Sequence, residues 1–201
     1  MHSTAVSHLR SCDPKLATII DRVGPCRFEP RVDGTHLDAL FRSIIYQQLS
    51  GRAAATIHDR FLSLYRGRSP SAQRLLDTPD ERLRGVGLSR QKIGYIRDLA
   101  DKVATRELPV RRLHELPDEE VIEALVRVKG IGRWTAHMFL MFRLGRPDVL
   151  PELDYGIQKA IRIHWRKRKH PTPQQVSKLG APWAPWRTIA SWYLWRSIDG
   201  D

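Results

Sequence analysis

The spacing of apolar residues predicts helices over most of the chain. In "THLDALFRSIIYQQLS" the apolar side chains recur at helical intervals, and Thr35 stands three residues before Asp38, as in a helix N-terminal capping box. A second apolar stripe follows Ser50, which is a suitable N-cap, and it ends at the turn-forming "RGRSPS". These two segments predict a helical hairpin.

Later segments continue the same pattern. Ser89 is positioned to cap the helix of "RQKIGYIRDLADKV", and Pro117 begins another, with acidic residues in its first turn, that should run to about Val128. The stretches "RWTAHMFLMFRLG", "DYGIQKAIRIHWRKRK" and "PWRTIASWYLWRSI" predict three further helices. No segment alternates as a strand would, so the predicted fold class is all-α.

The predicted helices fit a two-lobed helical globule, although no stretch resembles a long linker. We expect residues 1–32 to form an N-terminal segment that packs on the helical core. Residues 33–116 would form one lobe and residues 117–201 the other, with the division near "VRRLHELP".

Composition narrows the function. The 201 residues are 41% hydrophobic, enough for a core, and the formal net charge is +12. This charge favours a polyanionic partner, with nucleic acid ahead of a membrane surface. Cys12 and Cys26 are too few for a four-cysteine iron–sulfur cluster or a disulfide scaffold. No secretory leader or membrane-spanning run occurs, so we expect a soluble intracellular protein. We also expect no metal site.

The short motif "VKGIG" lies between two predicted helices. Gly130 and Gly132 can adopt positive φ and leave main-chain N–H groups uncovered at the start of the next helix. Lys129 and Arg133 add positive charge beside them. The motif therefore predicts a site for nucleic-acid phosphates, although a plain turn between helices would have the same glycines.

Several motifs in order resemble one family. "LVRVKGIGRWTAHMFL" followed by "LPELDYGI" resembles the helix-hairpin-helix DNA glycosylases, and within them the 3-methyladenine DNA glycosylase II type. "SIIYQQLSGRAAATI", "LRGVGLSRQKIGYIRDLA" and "PWRTIASWYLW" extend the similarity over roughly residues 33–198. The resemblance implies an active-site cleft between two lobes, excision of alkylated bases, and double-stranded DNA as the partner of a monomer.

The resemblance also assigns roles to residues. Asp154 matches the catalytic carboxylate, which would stabilise positive charge on the sugar as the base departs, and it also suits a helix N-cap. Aromatic positions of the base pocket correspond to Trp134, Trp195 and Tyr155, and the side chain that fills the gap after base flipping corresponds to Gln48. The hairpin residues implied to bind the DNA backbone are Lys129, Gly130, Ile131, Gly132, Arg133 and Thr135.

Residue 134 bears on the type of chemistry. Strand-cleaving relatives place a nucleophilic lysine there or on the second hairpin helix, whereas this chain has Trp134 and no lysine in "TAHMFLMFRLG". We therefore expect a monofunctional enzyme in which water is the nucleophile.

No cofactor is expected apart from an optional monovalent cation at the hairpin. The cytoplasm is the expected compartment, with DNA association, or the nucleus if the source is eukaryotic.

Two alternatives remain open. One is a glycosylase of the same fold that acts on deaminated or oxidised bases, and the other is a non-catalytic module that holds duplex DNA through its hairpin. Leu153 occupies a position where some relatives carry a second acid, and we expect no counterpart of the additional N-terminal α/β domain that some relatives carry. Both departures bear on the breadth of substrates rather than on the need for Asp154.

Overall fold

The computed structural model describes residues 2–199 and contains helices but no strand in that range. The α-helices are α1 Ser3–Cys12, α2 Pro14–Val23, α3 His36–Tyr46, α4 Gly51–Ser63, α5 Ala72–Leu76, α6 Asp80–Gly85, α7 Arg90–Ala104, α8 Asp118–Val126, α9 Arg133–Phe142, α10 Tyr155–His164, α11 Pro173–Gly180 and α12 Arg187–Arg196. Short 3-10 helices cover Val110–Glu115 and Ala181–Trp183. The predicted all-α class is confirmed.

The predicted helix starts agree closely with the structure. Thr35 and Asp38 form the capping box of α3, in which Thr35 N–H donates to Asp38 Oδ2 at 2.7 Å and Asp38 N–H to Thr35 Oγ1 at 3.2 Å. Ser50 caps α4 and Ser89 caps α7 through their hydroxyl groups. Pro117 precedes α8, as its fixed φ favours. Short polar side chains thus fix these boundaries by accepting otherwise unpaired N–H groups.

Residues Val32–Phe139 form one compact unit. Its core is made by apolar faces of α3, α4 and α7, where Phe41 and Phe61 are fully buried and meet edge to face at 6.0 Å between ring centroids. Ile96 and Leu99 of α7 are also fully buried. Removing these side chains from water supplies most of the favourable free energy that holds the three helices together.

Met1–Arg31 and Leu140–Asp201 form the second compact unit. Helices α1 and α2 pack on α12, whose Tyr193 is fully buried and donates its hydroxyl to Gly24 O at 3.1 Å. The indole of Trp183, also fully buried, donates to Asp13 Oδ2 at 3.0 Å. Both buried polar groups are therefore satisfied, and they fasten the N-terminal helices to the C-terminal part of the chain.

The boundary between these units differs from the predicted division at residues 116 and 117. It falls inside α9, so the hairpin belongs to the same compact unit as α3 and α7. Two long-range hydrogen bonds explain this grouping: Gln47 Nε2 donates to Gly130 O at 2.8 Å, and Lys129 N–H donates to Asp98 Oδ2 at 2.8 Å. Neither bond could be inferred from the apolar pattern.

Two details of the helices also differ from the prediction. The helix that begins at Tyr155 ends at His164, so "RKRK" lies outside it, because Arg166 adopts φ 50° and reverses the chain. Helices α1, α2, α5 and α11 have no counterpart in the prediction, although Asp13 before Pro14 and Thr172 before Pro173 are recognisable helix starts. No helix within residues 2–199 combines the length and the apolar character needed to cross a bilayer.

Candidate active site

Asp154 lies at the N-terminus of α10 and caps it. Its Oδ1 accepts the main-chain N–H of Ile157 at 2.8 Å and the indole N–H of Trp195 at 2.9 Å. Its own N–H donates to Pro151 O at 2.9 Å. These bonds fix the orientation of a half-buried carboxylate at a helix start, so the capping role expected from the sequence is present.

Trp195 is held on two sides. One face of the indole stacks on Phe142, with 5.9 Å between ring centroids and 26° between planes, while its N–H is bonded to Asp154. Phe142 in turn meets Phe28 at 5.6 Å. The aromatic residue predicted for a base pocket is therefore also the direct hydrogen-bond partner of the predicted catalytic carboxylate.

Gly156 is a residue of this site that sequence reasoning missed. A Cβ at this position would lie 3.0 Å from Asp154 Oδ1 and 3.0 Å from Trp195 Cδ1, closer than ordinary van der Waals contact. Glycine therefore allows the indole of α12 to approach the first turn of α10 and reach the carboxylate. A glycine two residues after an N-cap aspartate is the sequence feature that could have indicated this.

Tyr155 is 68% exposed, unlike the walls of a closed pocket. Its ring stacks on His170 with 5.1 Å between centroids and 26° between planes. Tyr155, the third predicted aromatic residue of the pocket, thus follows Asp154 in the chain but stacks on the exposed imidazole of His170. Whether Tyr155 contacts a base stays a prediction.

The backbone of the hairpin matches the prediction at Gly130 but not at Gly132, which does not have the expected positive φ. Gly130 has φ 81°, and a Cβ there would overlap the ring of Tyr95, whereas Gly132 has open space around it. Ile131 N–H donates to Val128 O at 3.0 Å and closes the turn. Gly130 is therefore required by the fold, and Gly132 leaves the main chain uncovered at the start of α9.

Carboxylates hold the cations beside the hairpin. Arg133 donates to both oxygens of Glu119, at 2.7 and 3.1 Å, and the hydrogen bond holds the pKa of Glu119 below its usual range. Burial raises the pKa of Asp98, but bonds from Lys129 N–H and from Lys102 outweigh it, so the net pKa is lowered. The guanidinium of Arg133 is thus oriented before any ligand arrives, whereas the Lys129 ammonium lies 3.7 Å from Asp98 Oδ1 and remains largely exposed.

The other predicted hairpin residues differ in exposure. Ile131 is 4% and Thr135 is 7% exposed, so both are buried, and a contact of either with a phosphate stays a prediction. Trp134, the first pocket candidate, is 43% exposed on α9. Its large exposed surface is unusual for tryptophan and is compatible with a ligand contact.

The turn that carries Gln48 is tightly fixed. Lys92 Nζ donates to Ile45 O at 2.6 Å and to Gln47 O at 2.8 Å, and burial lowers the pKa of Lys92. The side chain of Gln47 binds Gly130 O, so the turn is tied to the hairpin. Gln48 is exposed and has φ 57°, a left-handed conformation uncommon for a residue with a Cβ.

Comparison with known proteins identifies the family. Residues 41–185 match the HhH-GPD superfamily of base excision DNA repair proteins. The chain belongs to this superfamily. The family predicted from the motifs around the hairpin is therefore confirmed. No group of three or more His, Cys, Asp or Glu side chains suited to a metal ion occurs within residues 2–199.

Relatives of known name cover almost the whole chain. DNA-3-methyladenine glycosylase 1 of Schizosaccharomyces pombe is 35% identical over 94% of this chain and 85% of its own length. An alkylbase DNA glycosidase-like protein of the same yeast is 30% identical over 97% of this chain and 93% of its own. A 3-methyladenine DNA glycosylase of S. pombe, solved in complex with abasic DNA, superposes with a TM-score of 0.85 at 34% identity and covers 96% of each chain.

Proposed function

We propose that this HhH-GPD protein is a monofunctional DNA glycosylase that removes alkylated bases of the 3-methyladenine and 7-methylguanine class in base excision repair. The observation that carries the proposal is the oriented carboxylate of Asp154, capped onto α10 and bonded to Trp195. Two comparisons support the proposal. One is with a named 3-methyladenine glycosylase that is similar over nearly the whole chain, and the other is with a similar structure bound to abasic DNA.

The reaction uses only the chain's own groups and water. The bond between C1′ and the base nitrogen breaks with its electron pair leaving on the base, and positive charge develops on the sugar. The carboxylate of Asp154 stabilises that charge. Water then adds to C1′ and gives its proton to the carboxylate, leaving an abasic site. No redox change occurs, so the proposed reaction requires no redox cofactor.

The preference for alkylated purines follows from their charge. A 3-methylated or 7-methylated purine is cationic and leaves without prior protonation. Indole faces attract such cations by stacking and cation–π interaction, a role we assign to the exposed Trp134 and to Trp195. A base must leave the helix to reach them, and we assign Gln48, exposed at the end of a fixed turn, to fill the gap that it leaves.

Contacts with the DNA backbone are assigned to the hairpin. The open main chain at Gly132 and the start of α9 suit a phosphate, and Arg133 and Lys129 add charge. Such contacts hold the duplex without reading its sequence.

The test is release of free base from alkylated duplex DNA, identified by chromatography. We expect the wild type to release base, and Asp154→Asn to be at least about 100-fold slower, a loss typical for removal of one electrostatic contact in a transition state. The asparagine oxygen still accepts from Ile157 and Trp195, so the helix cap persists. Glu152→Gln, two residues away, is the matched control and should retain activity.

Three outcomes contradict parts of the proposal. Binding of DNA without release of any base by the wild type would favour a non-catalytic module. Full activity of Asp154→Asn would show that the reaction does not need the carboxylate. A covalent adduct trapped by borohydride would show an amine nucleophile instead of water.

A further inference from the structure

A run of four cations lies next to the site without a role in the mechanism. Arg166, Lys167, Arg168 and Lys169 are exposed. None of the four forms an ion pair with a carboxylate among residues 2–199, whereas other cations of the same compact unit do, as Arg187 does with Asp148 and Arg196 with Asp199. The run therefore keeps an uncompensated positive charge, a feature that favours a polyanionic ligand.

The chain path brings this run beside Asp154. Helix α10 has ten residues and is about 15 Å long. Because His170 stacks on Tyr155 at the other end of that helix, residues 166–170 must run back along α10. We call residues 166–170 the return segment. Its reversal is set by Arg166 at φ 50° and by Lys167 N–H, which donates to Arg162 O at 2.9 Å.

The return segment ends in an exposed aromatic stack. Tyr155 follows Asp154 directly, is 68% exposed, and presents a ring pair with His170. Lys159, four residues after Tyr155, lies on the same face of α10. Exposed rings among unpaired cations are the arrangement with which proteins hold a nucleic-acid strand, because bases and sugars pack on rings and phosphates pair with cations.

We propose that the return segment, with Tyr155, is a second DNA-binding surface that holds the lesion-bearing strand next to the nucleotide being excised. This inference rests on the proposed function, because Asp154 must then stand at the sugar of that nucleotide. A strand that passes Asp154 meets Tyr155 and His170 next, and its following phosphates meet the cations. The surface adds affinity without sequence preference and is distinct from the hairpin.

The test is the salt dependence of binding to a duplex that contains a stable abasic-site analogue, measured by fluorescence anisotropy. Each DNA phosphate that a variant no longer neutralises should lower the slope of log affinity against log salt by about 0.9. We expect Lys167→Gln/Arg168→Gln/Lys169→Gln to lower the slope by about 2 to 3 and to weaken binding at least about tenfold. His170→Ala should weaken binding a few-fold with a nearly unchanged slope, because stacking releases no counterions.

The matched control removes three charges elsewhere. Arg82→Gln/Arg84→Gln/Arg111→Gln changes three exposed arginines of the other compact unit and should alter the slope by less than about 1. An equal effect of both triple variants would mean that only net charge matters and would overturn the proposal. Loss of binding to phosphatidylserine vesicles with an unchanged DNA slope would assign the segment to a membrane surface instead.

Base release at saturating enzyme separates this inference from the proposed function. Base release is measured with the wild type, and the salt slope with the return-segment triple variant. If the wild type releases base and the triple variant keeps the wild-type salt slope, the second surface is wrong and the glycosylase assignment stands. If the wild type releases no base, the proposed function fails regardless of the slope.

Discussion

At the scale of single residues, the carboxylate of Asp154 depends on a glycine. Gly156→Ala places a methyl group 3.0 Å from both Asp154 Oδ1 and Trp195 Cδ1, so these groups must shift by a few tenths of an ångström. Catalysis is sensitive to such displacements, and we expect base release to slow about tenfold. The measurement is the single-turnover rate beside the thermal unfolding midpoint.

Gly94→Ala is the matched control for this change. Gly94 lies inside α7 with no atom near the position of a new Cβ, so alanine there should stabilise the protein by about 0.5–1 kcal/mol and leave base release unchanged. Equal rates for the two variants would show that the contact of Gly156 with Asp154 and Trp195 has no catalytic consequence.

The two hairpin glycines should separate into different roles. Gly130→Ala combines φ 81° with overlap on Tyr95, so we expect a loss of at least about 2 kcal/mol in the free energy of unfolding. Gly132→Ala meets no atom within 4 Å and should unfold as the wild type does, but its methyl group would cover the main chain offered to a phosphate. We expect weaker DNA binding for Gly132→Ala at unchanged stability, checked by denaturant unfolding and anisotropy.

If Gly132→Ala binds DNA as tightly as the wild type, the uncovered main chain at Gly132 does not contribute to DNA binding. A Gly130→Ala protein of normal stability would show that Tyr95 moves aside at little cost, because the ring would then tolerate the new methyl group.

At the scale of elements, the turn after α3 and the hairpin before α9 are connected by one side chain. Gln47→Ala removes the 2.8 Å bond to Gly130 O, and a bond of this kind contributes about 1 kcal/mol to stability. We expect that loss together with slower base release, because Gln48 and the hairpin are then no longer held together. Gln73→Ala removes a comparable exposed amide bond, to Asp77, and should leave base release unchanged.

Much of this element structure could be predicted because caps and apolar stripes are local features. Thr35, Ser50 and Ser89 begin their helices as expected. The missed helices had comparable starts, since Asp13 before Pro14 and the capping box from Thr172 to Gln175 follow the same rules. The reversal at Arg166 could not be predicted, because a non-glycine residue at positive φ has no reliable sequence pattern.

The candidate site was predictable only in part. Motif order indicated Asp154, Trp195 and the hairpin, but the bond between Asp154 and Trp195 joins residues 41 positions apart and depends on packing. The stack of Tyr155 on His170 is likewise a tertiary contact. Sequence thus indicates which residues bear chemistry, whereas their partners come from the fold.

At the scale of the whole molecule, ion pairs make stability depend on pH. Burial raises the pKa of Asp148, but hydrogen bonds and charge from Arg187 outweigh it and lower the net pKa; the pKa values of Asp98 and Glu119 are also lowered. A carboxyl group whose pKa is lower in the folded state contributes stability above its unfolded pKa, about 4, and loses it as pH falls through the folded pKa. The free energy of unfolding should therefore decrease below about pH 4.

Asp148→Asn tests this linkage at one pair. Arg187 donates to both oxygens of Asp148 at 2.6 and 2.8 Å, so we expect the variant to be about 1–2 kcal/mol less stable at pH 7. The difference from the wild type should shrink as pH falls below about 4, because protonation then removes the same charge from the wild type. Asp199→Asn disrupts an exposed pair with Arg196 and should change stability by less than about 0.5 kcal/mol. The measurement is the free energy of unfolding of all three proteins in urea from pH 7 to pH 3. A difference between the wild type and Asp148→Asn that stays constant over this range would contradict the linkage.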